Sequence, residues 1–161
     1  MIYLLKPYYR NFGKRITKAP KIYFLDCALV CYLTGIRSKE HLLQGPMSGA
    51  LFENFVVQET IKSLLHHGRP LRVYYLRTHQ QMEVDLLLEG PDMNVYPIEV
   101  KLSKTPRISM ASNLQRFRKF LPQLAIQEGR IVSLSTASRP LTRDVVIQEF
   151  DDYLHWLRSL E

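Results

Sequence analysis

The chain has 161 residues, of which 46% are hydrophobic and 23% charged, a composition that suits one folded domain and argues against both disorder and a second domain. No apolar run approaches the roughly 20 residues of a bilayer span, and MIYLLKPYYR lacks the apolar length and cleavage site of a signal peptide, so a cytoplasmic protein with no membrane contact is expected. Of the net +7, residues 1–25 and 100–127 hold +12 with no acid while the rest of the chain holds −5, a segregation that suits a polyanion such as nucleic acid.

IYLLKPYY and ITKAPKIYF flank an Asn-Phe-Gly-Lys-Arg turn and predict a basic hairpin. A basic hairpin segment over residues 1–23 is expected ahead of a domain over 24–161. Tyr3, Tyr8, Tyr9 and Phe12 supply rings able to stack on bases. FLDCALVCYLT (24–34) reads as a short apolar helix stopped by Gly35. Cys27 and Cys31 share its face, and with no further Cys or nearby His to complete a zinc set they are expected to pack as reduced thiols. Pro46 and Ser48 open a long helix over 47–67, apolar around most of its circumference and therefore buried on several sides.

Three extended segments follow: LRVYYLR (71–77), MEVDLLLE (82–89) and, after a Gly-Pro-Asp-Met-Asn turn, VYPIEVKLS (95–103). SMASNLQRFRKFL is a basic amphipathic helix stopped by Pro122. IVSLST (131–136) and VVIQEF (145–150) predict further strands, and DDYLHWLRSL a closing helix with acids at its N-terminus. The order helix, three strands, helix, strand predicts an α+β mixed sheet with helices packed on it.

Strand alternation sorts the central segments into faces. Val84, Leu86 and Leu88 share one face, with Glu83, Asp85 and Leu87 on the other. Ile98, Val100 and Leu102 oppose Glu99 and Lys101. Ionised carboxylates amid such apolar sequence are costly unless they are paired or bound to a cation. With Asp85 near Glu99, two carboxylates and an ammonium converge on a site suited to Mg²⁺ or Mn²⁺, with the Val100 carbonyl as a further ligand. Lys101 is placed to orient an attacking water and to stabilise transition-state charge. The competing structural role for the same residues is a cross-strand salt bridge.

Asp85 followed by Glu99-Val100-Lys101 on the next strand resembles the active-site motif of the PD-(D/E)XK nuclease superfamily. GALFENFVVQE, YYLRTHQQMEVDLLLE and YPIEVKLS resemble one branch of it more closely: the DUF4143 domain, found C-terminal to an AAA-type ATPase module. The resemblance implies a restriction-endonuclease-like αβββαβ core with Asp85, Glu99 and Lys101 at the catalytic positions. It also implies an acid from the preceding helix, for which Glu53 is the match and Glu59 the competitor. Val84 stands where the superfamily motif has proline, a variable position. No Walker A motif is present, so the ATPase part of longer relatives is absent and a fragment or stand-alone remnant is expected, for which the resemblance would make the basic hairpin over residues 1–23 the former junction.

The implied activity is metal-dependent hydrolysis of DNA or RNA, with DNA placed ahead of RNA. Lys104, Arg107, Arg116 and Lys119 would hold the phosphate backbone. The alternative is a non-catalytic module of the same fold that binds nucleic acid or an AAA ATPase partner.

Overall fold

The computed structural model describes residues 1–8 and 19–160. Strands β1 (Ile2–Leu5) and β2 (Lys21–Phe24) pair antiparallel, with Ile2 opposite Phe24 and Leu5 opposite Lys21. This is the expected hairpin pairing; its turn, with Tyr9, Arg10, Phe12, Lys14, Arg15 and Lys18, lies outside the described residues. After β1 the chain runs along the edge of β3 (Val73–Arg77), where Tyr8 N–H donates to the Tyr75 carbonyl at 2.7 Å and Tyr75 N–H to the Lys6 carbonyl at 3.1 Å. These bonds occupy an edge that would otherwise invite another strand. The Tyr8 ring is buried against Tyr74, and Tyr3 packs on the core. The buried Tyr8 ring is therefore not available to stack on bases, contrary to expectation, while Tyr3 is only partly buried.

Helix α1 (Cys27–Leu33) begins after Asp26, whose carboxylate accepts from Leu29 N–H, and gives way to Gly35 at φ +73°. It starts later than expected because Phe24 belongs to β2. Helix α2 (Lys39–Gln44) was not anticipated; it buries no residue and so leaves no apolar period to read. Helix α3 (Ser48–His66) matches the long helix foreseen and buries Leu51, Val56, Val57, Ile61 and Leu64. Thr60 donates to the Val56 carbonyl at 2.7 Å, so the Tyr153 hydroxyl, also 2.7 Å away, must donate to Thr60.

The remaining elements are β4 (Glu83–Glu89), β5 (Val95–Lys101), a 3-10 turn (Ile108–Ala111) leading into α4 (Ser112–Phe120), β6 (Gly129–Ser133), β7 (Arg139–Thr142), β8 (Val145–Glu149) and α5 (Phe150–Ser159). They form a six-stranded mixed sheet in the order β3-β4-β5-β6-β8-β7, parallel only at β5–β6 and β6–β8. The fold is thus the α+β mixed sheet expected, and α3-β3-β4-β5-α4-β6 follows the helix, three strands, helix, strand order. Strand β7 was not foreseen; it lies at the sheet edge, has no buried residue, and accommodates Pro140 there. One core, with Val57, Ile61, Leu86, Ile98, Val132 and Tyr153, lies between the sheet and α3/α5. The other, with Val84, Leu87, Leu114, Phe117, Ile131 and Ile147, lies beneath α4.

Strict alternation fails at one place. Tyr74 opposes Leu87 and Leu76 opposes Val84, so two steps along β3 match three along β4. This slip has the character of a bulge. It turns Val84 onto the α4 face with Leu87, away from Leu86 and Leu88 on the α3 face. The expected grouping of Val84 with Leu86 and Leu88 is therefore wrong, and the misread residue is the one just before Asp85.

Candidate active site

The β4–β5 ladder runs from Glu89 opposite Val95 to Leu86 opposite Ile98. Beyond Leu86, the side chain of Asp85 takes over, its Oδ2 accepting the Val100 N–H at 2.8 Å. The slip in β4 thus aims a carboxylate at the backbone of β5 next to Glu99. Asp85 is 8% exposed and Glu99 2%. On the α4 side, Glu99 Oε1 accepts from Lys101 Nζ at 2.6 Å and from Asn113 Nδ2 at 3.2 Å. Glu99 Oε2 is buried with no hydrogen-bond partner among the described residues.

The other half of the cluster comes from the N-terminal hairpin and α3. Asn54 on α3 acts as a strand surrogate for β2: its Oδ1 accepts from Phe24 N–H and its Nδ2 donates to the Phe24 carbonyl, both at 2.8 Å. Gln58 Oε1, one turn on, accepts from Cys27 N–H at 3.1 Å. This docking carries Lys21 and Tyr23 to Glu53: Lys21 Nζ lies 3.1 Å and the Tyr23 hydroxyl 2.5 Å from Glu53 Oε1. Lys21 also pairs with Glu83, whose other oxygen is 3.4 Å from Arg77 Nε. Glu59, the competing acid, instead bonds Lys62 at 3.0 Å and Gln58 at 2.9 Å.

Burial, reinforced by the charges of Glu99 and Glu53, pushes the Asp85 carboxyl up to about 7. Burial also raises Glu99, against the pull of Lys101. For Lys101 burial works downward, but the Glu99 carboxylate outweighs it and holds the ammonium above its ordinary value. The structure thus assembles Asp85, Glu99 and Lys101 and brings Glu53 to the same cluster. Sequence reasoning missed three members. Lys21 was counted only among the basic residues of the hairpin, Tyr23 was not singled out, and Asn113 lay within a helix read for its charge.

Among the described residues, no three His, Cys, Asp or Glu side chains converge as a metal-ligand set. The available donors are the two carboxylates of Asp85 and Glu99, with Val100, next after Glu99 in the chain, bonded through its N–H to Asp85. An orphaned buried carboxylate oxygen beside a second, electrostatically strained one suits a hard divalent cation that takes one or two carboxylates and keeps its waters. A groove of about 320 Å³ lined by Lys21, Tyr23, Phe24, Glu53 and Asn54 adjoins the cluster.

The bases proposed for phosphate contact divide differently. Lys104, Arg107, Arg116 and Lys119 are all exposed. Arg116 and Lys119 line a groove of about 250 Å³ with Thr78, Gln80 and Phe120. Arg118, counted with them in the basic stretch, is structural: it donates to the Ile126 and Gln127 carbonyls at 2.9 and 2.7 Å.

Residues 48–151, which span the α3-to-β8 sheet and carry Asp85, Glu99 and Lys101, match the family "Domain of unknown function (DUF4143)". The chain belongs to the DUF4143 family. Residues 1–40 match a second family, "Domain of unknown function (DUF8612)". The carboxylate cluster is therefore built from both matched segments, with Lys21 and Tyr23 contributed to the DUF4143 site from the DUF8612 stretch. The chain is 34% identical over 150 residues to uncharacterized proteins of Mycobacterium bovis and Mycobacterium tuberculosis, covering 93% of its own length. It spans 32% of theirs, about a third. No solved structure matches it. No helix among the described residues is long and apolar enough to cross a membrane.

Proposed function

We propose that this DUF4143 chain is a divalent-metal-dependent nuclease of the PD-(D/E)XK type that hydrolyses phosphodiester bonds of DNA or RNA. The observation that carries the reading is the buried Glu99 carboxylate, with one oxygen on Lys101 and the other without a partner, next to an Asp85 carboxyl that resists ionisation. Asp85 and Glu99, with the Val100 carbonyl, would hold Mg²⁺ or Mn²⁺. The bound ion supplies Lewis acidity and lowers the pKa of a coordinated water. Lys101, kept cationic by Glu99, orients the attacking water and offsets charge on the scissile phosphate. Asn113 restrains Glu99 from the α4 side, so that the carboxylate is not free to rotate. Lys104, Arg107, Arg116 and Lys119 bind the sugar-phosphate backbone without reading sequence.

The test is nicking of plasmid DNA or cutting of single strands in Mg²⁺ or Mn²⁺. Asp85→Ala and Lys101→Ala should each lower the rate by at least about 100-fold, the scale seen when a group stabilising transition-state charge is removed. Cleavage that survives both substitutions would overturn the reading.

A docking role to an AAA-type ATPase or another module is favoured by a different observation. The outer face of the hairpin is apolar and open, with Ile2, Leu4, Ile22 and Phe24 between 43% and 60% exposed. Such a role uses the hairpin's outer face, whose Ile22 and Phe24 also line the groove beside Glu53, and leaves Asp85, Glu99 and Lys101 to the enzymatic one.

A further inference from the structure

The acids of the cluster are not equivalent. Glu53 receives two donors, the Lys21 ammonium and the Tyr23 hydroxyl. Glu83 likewise receives two, Lys21 and Arg77. The ammonium that joins them sits on β2, is held over the Tyr75 ring at 5.4 Å, and has a side chain only 22% exposed. Across the cluster, Asp85 and Glu99 share one backbone N–H, one ammonium and one amide, and one carboxylate oxygen is left with nothing. One half of the site already holds its cation; the other half is short of one.

Resting on the metal-dependent reading above, we propose that Lys21 is the resident cation of the Glu53/Glu83 half, so that the site takes one divalent ion, on Asp85 and Glu99, instead of two. A carboxylate pair bridged by an ammonium at hydrogen-bond distance cannot offer the same oxygens to a metal without expelling that ammonium. Lys21 is poorly placed to leave: its strand is fixed to α3 by both hydrogen bonds of Asn54, and its ammonium sits over the Tyr75 ring. The single bridging ammonium thus sets the stoichiometry of the site. It also keeps Glu53 and Glu83 from adding negative charge where the phosphate must approach, so Lys21 is a positioning residue for the reaction.

The experiment is Mn²⁺ titration of the whole chain, counting bound ions by loss of the free-ion EPR signal and by calorimetry. Wild type is expected to bind one ion per chain and Lys21→Met two, with the second ion lost again when Glu53→Gln is added. Lys21→Arg, which keeps the charge, is expected to bind one. Two ions in the wild type, or one in a folded Lys21→Met, would overturn the proposal. Should Lys21→Met fail to fold, Glu53→Gln with Lys21 intact decides: it is expected to retain one ion, and loss of that ion would make Glu53 a primary ligand and overturn the assignment. A wild type that binds no Mn²⁺ would overturn the metal reading itself, and this inference with it.

Discussion

Two buried charge centres lie on opposite faces of one sheet, almost in register. Glu99 on β5 is paired with Ile131 on β6 and turns toward Asn113 of α4. Arg130, one residue before Ile131, turns to the other face and lays its guanidinium on the Trp156 ring of α5 at 3.7 Å. Arg130 also donates to the Glu128 carbonyl at 2.9 Å and approaches the Glu128 carboxylate at 3.4 Å. Burial lowers its affinity for a proton, Glu128 and the surrounding rings offset part of that cost locally, and its Nε is buried without a hydrogen-bond partner among the described residues. Asp85 has no such settlement, since the charges of Glu99 and Glu53 compound its burial penalty, and Glu99, although paired with Lys101, keeps one buried oxygen with no partner among the described residues. A buried charge with its counterpart built in is a fold element; two buried carboxylates that share one ammonium are a candidate binding site.

The contrast predicts opposite responses to mutation. Arg130→Met keeps most of the packing stem and removes the cation, so it should cost about 3–5 kcal/mol, the sum of a desolvated cation–π contact and a charged hydrogen bond. The proposed nuclease activity of the folded fraction should be unchanged, as the Arg130 guanidinium is engaged by Trp156 and Glu128 on the α5 face. Urea unfolding alongside the nicking assay checks both halves, and an Arg130→Met protein that is fully stable but inactive would break the comparison.

Asp85→Asn should do the reverse and stabilise the metal-free protein at neutral pH. The Asp85 carboxyl is raised on folding to about 7, so between its unfolded value and that pH the native state binds the extra proton. Stability therefore falls as pH rises from about 4 to about 7 and stays lower above it. The asparagine variant lacks that decline. In chelator-treated samples its melting temperature should exceed that of wild type at pH 8 by at least about 3 °C, at about 2–4 °C per kcal/mol for this size, and the gap should close at pH 4. Equal melting profiles across this range would show that Asp85 is as well compensated as Arg130.

How much of this was legible beforehand follows the range of the physics involved. The three central strands, α3 and α4 announce themselves by local apolar periodicity, and Asp85, Glu99 and Lys101 stand out as charges within it. Helix α2 and strand β7 bury nothing, so they leave no pattern to find. Val84 was put on the wrong face because a slip in the β3–β4 register is a property of two strands together. Lys21 and Glu53 are 32 residues apart, and the ammonium reaches its carboxylate only because Asn54 docks β2 on α3. Nothing near Lys21 in the chain distinguishes it from the other bases of the hairpin.

The smallest expected effect concerns charge that is neither paired nor buried. Arg116 and Lys119 are exposed on α4, while Arg118 between them is committed to the Ile126 and Gln127 carbonyls. If the exposed pair contacts phosphate, Arg116→Ala with Lys119→Ala should flatten the dependence of log K on log salt by about 1.8 for duplex DNA, or about 1.4 for single strands, as two counterions are no longer released. Arg118→Ala should leave that slope alone and lower the melting temperature instead, because its guanidinium closes the end of α4 onto the segment leading to β6. Salt-dependent fluorescence anisotropy on the three proteins separates the two kinds of arginine on one helix. A double variant with the wild-type slope would remove α4 from the nucleic-acid surface and leave Lys104 and Arg107, beside the end of β5, as the bases that meet the backbone.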